Sequence, residues 1–264
     1  MLHLLPVRTA GAAENMAVDF LLLQRYPHAA AARFRHYEWR APACTFGYSQ
    51  KIALVRANLP SVARATEGKP PGEPFDLCRR PTGGGIVDHR NDWTYALVLP
   101  RGHALYDERA AQSYRVVHEC LAGALVALGQ PAEVKRECAG EACGSELARE
   151  GPAESRASSL PQSHSGPGIC FQRAELYDVV NPATGAKIAG AAQKRNKHGL
   201  LFQGSIDKGS VGAIDWEDFH AQFAARLAAA LAVPAEETPW PELNEDEVAG
   251  LIEQYSSPEW IEYR

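Results

Sequence analysis

Three stretches of this 264-residue chain carry residue types that could do chemistry. The first is Arg79-Arg80-Pro81-Thr82-Gly83-Gly84-Gly85-Ile86-Val87-Asp88-His89. Consecutive glycines let a backbone take positive φ and bring its N–H groups close to a ligand. Two guanidinium groups beside them would suit a carboxylate, a phosphate or an acidic partner. The second is Gly185-Ala186-Lys187-Ile188-Ala189-Gly190-Ala191-Ala192-Gln193-Lys194-Arg195, in which Lys187 interrupts a run of small apolar residues. Such a lysine sits either at an exposed edge or in a pocket where a partner makes it useful. Read alone, Lys187 belongs at an exposed edge, because lysines are mostly solvated. The third is Cys170, after a polar segment and before a strand. A thiolate there becomes a strong nucleophile if a nearby ammonium lowers its pKa. Read alone, Cys170 is a small buried hydrophobe, as most free cysteines are.

The elements that must position these residues alternate between helix and strand patterns. Asn15 is expected to cap a helix running to about Tyr26. Strands are expected near Ala32–Tyr37 and Cys44–Tyr48, then a Pro/Gly-rich loop to about Asp76. Trp93–Leu99 reads as a buried strand. Tyr114, Val117, Leu121, Leu125 and Leu128 recur at helical spacing, so one helix is expected from Asp107 to Leu128, stopped by Gly129 and Pro131. From Gly140 to Gly168 the chain turns to Ser, Gly, Pro, Glu and Arg with little apolar content, and reads as a mobile insertion. Strands return at Tyr177–Val180, Ala186–Ala191 and Leu200–Ile206. Centring the first hairpin on Ala183 places Lys187 opposite about Val179. Phe219, Phe223, Leu227 and Leu231 mark a helix from Trp216 with Asp215 as cap. A last helix from Glu245 to Tyr255 has Asn244 and Glu247 in capping-box positions. Interleaved helices and hairpins predict an α/β (α+β) fold with a mixed β-sheet flanked by helices.

Composition narrows the functional classes. The formal net charge is −5 and no long basic run occurs, which makes nucleic acid a poor partner. No apolar run approaches a membrane span, and no signal peptide is read at the start, so a cytoplasmic protein is expected. The six cysteines are then read as thiols. Cys138, Cys143, Cys170 and His164 fit no common zinc spacing, and no metal is expected.

Four motifs in order give the chain a resemblance to the biotin/lipoate protein ligase superfamily, in its lipoyl- and octanoyl-transferring branch. They are Asn15-Met16-Ala17-Val18-Asp19, Arg80-x-Thr82-Gly83-Gly84-Gly85-x-Val87-x-His89, Lys187-Ile188-Ala189-Gly190-x-Ala192-Gln193-x-Arg195, and Leu201-Phe202-Gln203-Gly204-Ser205-Ile206. The resemblance implies the catalytic-domain fold of that superfamily over residues 1–232, interrupted near 140–168, with a short helical extension over 233–264. Cys170-Phe171 followed by Tyr177-Asp178-Val179-Val180 is similar to the arrangement in one class of cysteine-dependent octanoyltransferases.

By that resemblance Cys170 and Lys187 are the catalytic residues. Arg80, Thr82, Gly83, Gly84, Gly85, His89, Gly190, Ala192, Gln193 and Gly204 bind substrate. Octanoyl passes from octanoyl-acyl carrier protein to Cys170 as a thioester. It then passes to a lysine of a lipoyl-domain protein such as the glycine cleavage H protein, without a cofactor and by a monomer. The alternatives are an ATP- and Mg-dependent lipoate-protein ligase, with Arg79, Arg80 and Lys187 supporting an acyl-adenylate, and a lipoyl amidotransferase acting between two lipoyl domains. Two departures stand out. Gln203 replaces a histidine frequent in related sequences, and the Gly140–Gly168 segment is unusually long.

Overall fold

The computed structural model describes residues 1–59, 75–136 and 174–263. The first half contains β1 (Leu2–Ala10), α1 (Ala12–Gln24), β2 (Ala32–Trp39), β3 (Ala43–Phe46), α2 (Ile52–Ala57), β4 (Asp76–Arg79), β5 (Ile86–Asp88) and β6 (Asp92–Pro100). After α3 (Ala104–Asp107) and α4 (Ala110–Ala127) come β7 (Glu133–Val134), β8 (Val179–Val180), β9 (Lys187–Asn196) and β10 (Gly199–Asp207). The chain ends with α5 (Trp216–Ala230), β11 (Ala235–Glu237), α6 (Glu245–Ser256) and α7 (Pro258–Ile261).

Eight strands form one mixed sheet in the order β11-β1-β2-β6-β10-β9-β8-β7. Its β11/β1 and β1/β2 pairs are parallel and the others antiparallel. A second sheet, β4-β3-β5, presents the glycine motif between two of its strands. Side chains alternate across the pleat, so one strand feeds two cores. On β6, Leu97 and Leu99 join the core under α4 and α5, while Ala96 and Val98 face α1.

Several local expectations are corrected by distant contacts. Asn15 is not the cap of α1, which starts at Ala12 with Gly11 as N-cap. The Asp76 carboxylate instead accepts the Ala12 N–H at 2.6 Å, a cap delivered from β4. Asn15 is buried one turn in, its amide donating to the Glu38 carbonyl. The single helix expected from Asp107 is broken at Glu108 and Arg109, both extended. Arg195 donates to the Glu108 carbonyl at 2.5 Å and draws it away from a helical partner. Part of the expected loop before Asp76 is the helix α2. In the β8/β9 hairpin, a bulge sets Lys187 opposite Val180 and Ala189 opposite Val179. At α6, Asn244 accepts from the Glu247 N–H, but the Glu247 carboxylate pairs with Arg25, so only half of the capping box forms.

The β2–β6 pair also carries a pH-sensitive group. His36 stacks on Trp93 at 4.3 Å, and its Nδ1 lies 2.8 Å from the Thr94 carbonyl. Burial is the main cause lowering its pKa, to about 4, against the hydrogen bond to Thr94 that raises it. The unfolded chain therefore binds a proton near pH 6.5 that the folded one refuses. Stability is complete above that pH and falls on acidification toward pH 4, by about 3 kcal/mol from this residue. Urea unfolding at pH 7 and pH 4.5 checks this. The pH dependence should shrink in His36→Gln, and an unchanged slope would refute the assignment.

Candidate active site

The glycine motif folds against β3 because its carbonyls are collected by neighbouring side chains and backbone. Arg80 Nη2 donates to the carbonyls of Gly83 (3.0 Å) and Gly85 (2.9 Å), Tyr48 N to Thr82 O, and Gln50 Nε2 to Gly84 O. Of the three glycines only Gly84 takes a left-handed φ, +89°. A fourth glycine, not singled out from the sequence, is equally constrained. A Cβ on Gly47 would lie 2.1 Å from the Gly84 carbonyl oxygen, so the two backbones could not approach.

Between this loop and the large sheet lies a cleft with about 490 Å³ of atom-free space, its mouth included. Gly190, Ala191, Ala192, Gln203, Gly204 and Ser205 from β9 and β10 form its floor. Arg80, Gly84, Val87 and His89 form the opposite wall, Met16 of α1 and Tyr37 and Trp39 of β2 also line it, and Lys187 enters from β9. From β9 to β2 is three strand spacings, about 14 Å.

Lys187 is not an edge lysine. Its Nζ is 2.7 Å from Asp178 Oδ2, and both side chains are more than nine-tenths buried. Glu175 N also donates to Asp178 Oδ2 at 2.7 Å. Gly190 makes room for this pair, since a Cβ there would lie 2.6 Å from Lys187 Nζ and 3.0 Å from Asp178 Oδ1. Asp178 was hidden in the sequence. Its signal is one charged residue before the Val179-Val180 strand, and its pairing depends on the hairpin bulge.

The other wall is a hydrogen-bonded chain. His89 Nδ1 and Asp92 Oδ2 are 2.7 Å apart, His89 Nε2 is 2.7 Å from Thr45 Oγ1, and the ring stacks on Trp39. Burial raises the Asp92 pKa. The His89 charge and the hydrogen bonds from His89, Ser205 and Thr94 outweigh burial and leave it lowered. An ionised Asp92 can only accept, so the hydrogen of this contact sits on His89 Nδ1. Arg80 Nη1 donates to the same Thr45 oxygen at 2.8 Å, so these groups hold one another as a rigid wall.

Gln203 has a defined role in place of a histidine. Its Oε1 accepts from Thr82 Oγ1 and its Nε2 donates to Asp19 Oδ2, both at 2.7 Å. Asp19 pairs in turn with the buried Arg35. The first-helix motif is thus tied through β10 to the glycine loop.

Arg80, Gly84, His89, Lys187, Gly190, Ala192 and Gly204 line one cleft, whereas Thr82, Gly83, Gly85 and Gln193 do not. Thr82, Gly83 and Gly85 shape the loop from behind. Gln193 points to the opposite face, where its Oε1 accepts from Ser113 of α4. The Arg79 guanidinium donates to the carbonyls of Tyr48, Gln50, Trp260 and Ile261, a structural use in place of the expected anion. Cys170, Phe171, Cys138, Cys143, His164 and the Gly140–Gly168 segment lie outside the described residues. Among the described residues no cluster of His, Cys, Asp and Glu could hold a metal, and no helix is long and apolar enough to cross a membrane.

A floor of mostly small residues, a glycine-rich wall and a buried lysine thus meet in one α/β domain. Residues 11–209 match the family model of the lipoyl protein ligase A/B catalytic domain, and the chain belongs to that family. The octanoyltransferase LipM of Bacillus cereus is 30% identical over 193 residues, 73% of this chain and 60% of that protein. LipM of Macrococcus caseolyticus is 31% identical over 193 residues, with the same shares. The chain thus spans about 60% of the length of these relatives. A putative lipoate protein ligase from T. acidophilum with bound lipoic acid shares the fold, with a TM-score of 0.67 at 17% identity over 99% of this chain and 98% of that one.

Proposed function

We propose that this chain is an octanoyltransferase that moves octanoyl from acyl carrier protein to a lysine of a lipoyl-domain protein through a thioester on Cys170. The observation that carries this reading is the buried Lys187–Asp178 pair at a cleft floored by Gly190, Ala192 and Gly204. Its 30%-identical octanoyltransferase relatives favour transfer over adenylation. The Cys170 thiolate attacks the carbonyl of the carrier-bound octanoyl thioester, and the carrier thiolate leaves and takes up a proton. The acceptor lysine amine then attacks the Cys170 thioester, forming an amide, losing a proton and releasing the cysteine sulfur. The Lys187 ammonium favours thiolate over thiol in both states and assists proton transfer. On this reading no cofactor takes part.

Incubation with octanoyl-acyl carrier protein in the absence of ATP is expected to add one octanoyl group to the intact wild-type protein and none to Cys170→Ala. Acyl transfer to a lipoyl domain that needs ATP and survives Cys170→Ala would overturn the proposal in favour of a ligase. Acylation only from an octanoylated lipoyl domain would overturn the donor assignment and identify an amidotransferase.

A further inference from the structure

Asp178 reaches Lys187 from an unusual piece of backbone. Tyr177, the residue before it, has φ +67°, and among the described residues only Ala232 is another non-glycine with positive φ. A side chain in that region is sterically disfavoured and persists where its surroundings hold it. The Tyr177–Asp178 turn is held on three sides. Tyr177 N donates to Lys135 O, Lys135 N donates to Asp178 O, and Asp178 N donates to Glu175 O. The remaining hold comes from α4. His118, 1% exposed, places Nδ1 2.5 Å from the Tyr177 carbonyl oxygen. A carbonyl can only accept, so Nδ1 carries a proton in this contact.

His118 Nε2 is buried, and among the described residues it has no hydrogen-bond partner. An orphaned polar atom in a core is unfavourable, and an apolar residue of similar size would avoid it. The nitrogen that does bond therefore explains the residue. Its acceptor is the peptide that aims Asp178 at Lys187. Burial, the leading cause, lowers the His118 pKa and so disfavours a second proton on the ring.

Resting on the octanoyltransferase reading, we propose that His118 is a positioning residue. From the rigid helix α4 it fixes the left-handed Tyr177 peptide and so sets Asp178 against Lys187, the member of the pair that lines the cleft. His118 itself does not line the cleft, and acts through Asp178.

Three full-length variants test this. His118→Asn keeps an N–H donor at the position of Nδ1, His118→Gln moves the donor one bond outward, and His118→Leu removes it. The first readout is independent of activity: labelling of Lys187 by N-hydroxysuccinimidyl acetate, followed by peptide mass spectrometry. Labelling is expected to rise several-fold in His118→Leu and His118→Gln and to match wild type in His118→Asn. The second readout is the rate of acylation by octanoyl-acyl carrier protein at saturation. A loss on the order of 100-fold is expected for His118→Leu and His118→Gln, with little change in KM and recovery in His118→Asn. If His118→Leu fails to fold, the Asn and Gln variants decide. Equal Lys187 labelling and equal acylation in the Gln variant and wild type overturn the proposal, whatever the melting temperature. If the wild type itself is not acylated, the octanoyltransferase reading falls, and the labelling pattern still decides the role of His118.

Discussion

Lys187→Ala is expected to slow octanoyl transfer by roughly 100- to 10,000-fold, the range for loss of a positioned acid–base group. The same substitution also leaves the Asp178 carboxylate buried opposite a void. Removing one member of a buried pair typically costs about 3–5 kcal/mol. Here the cost should fall toward the lower end, because the Glu175 N–H still bonds Asp178 Oδ2. A loss of activity alone would therefore not separate chemistry from folding. The double substitution Lys187→Met with Asp178→Asn does. It removes both charges while keeping volume and the Glu175 hydrogen bond, so urea midpoints should return close to wild type. The acylation rate should remain as low as in Lys187→Ala. Recovery of rate together with stability would reduce Lys187 to a structural residue. Recovery of stability alone gives the ammonium a part in the chemistry.

Arg79→Leu is expected to be the most destabilising single change around the glycine motif, by about 3–5 kcal/mol. The guanidinium is fully buried and stacks on Phe46 at 4.7 Å. Its three nitrogens serve four carbonyls: Trp260 (2.9 Å), Tyr48 (2.7 Å), Gln50 (2.8 Å) and Ile261 (2.7 Å). Trp260 returns a hydrogen bond from Nε1 to the Arg79 carbonyl at 2.9 Å. One side chain thus joins the end of the chain to the 48–50 loop. Because Tyr48 N and Gln50 Nε2 hold the Thr82 and Gly84 carbonyls, loosening that loop loosens the cleft wall. Arg79→Lys should recover little, since an ammonium cannot present a planar fork to four carbonyls. Urea unfolding of both variants measures the loss, and an increased KM for the acyl donor at a temperature where each is folded measures the effect on the wall. Wild-type stability of Arg79→Lys would show that charge alone suffices there.

How much of this was legible beforehand differs residue by residue. The glycine-rich turn between strands, the small-residue strand around Lys187 and the Asp215 cap are written in adjacent residues, because φ freedom, strand period and capping are local properties. The capping box at α6 shows the limit. Asn244 bonds as its position predicts, while the Glu247 carboxylate pairs with Arg25, over 200 residues away in sequence. Asp76 at the start of α1 is the same effect in reverse.

The order and types of the motif residues determined the family, the mixed α/β architecture, and the candidacy of Lys187 as a functional residue. Tertiary structure alone decided what surrounds each of them. It buried Lys187 against Asp178 through a one-residue bulge and turned Arg79 inward. It put Gln203 between Asp19 and Thr82, and aimed Gln193 away from the cleft its motif helps to form. The physical reason is that a side chain's partner depends on register and burial across strands. Register is set by the whole sheet, and a shift of one residue along β9 would exchange its two faces.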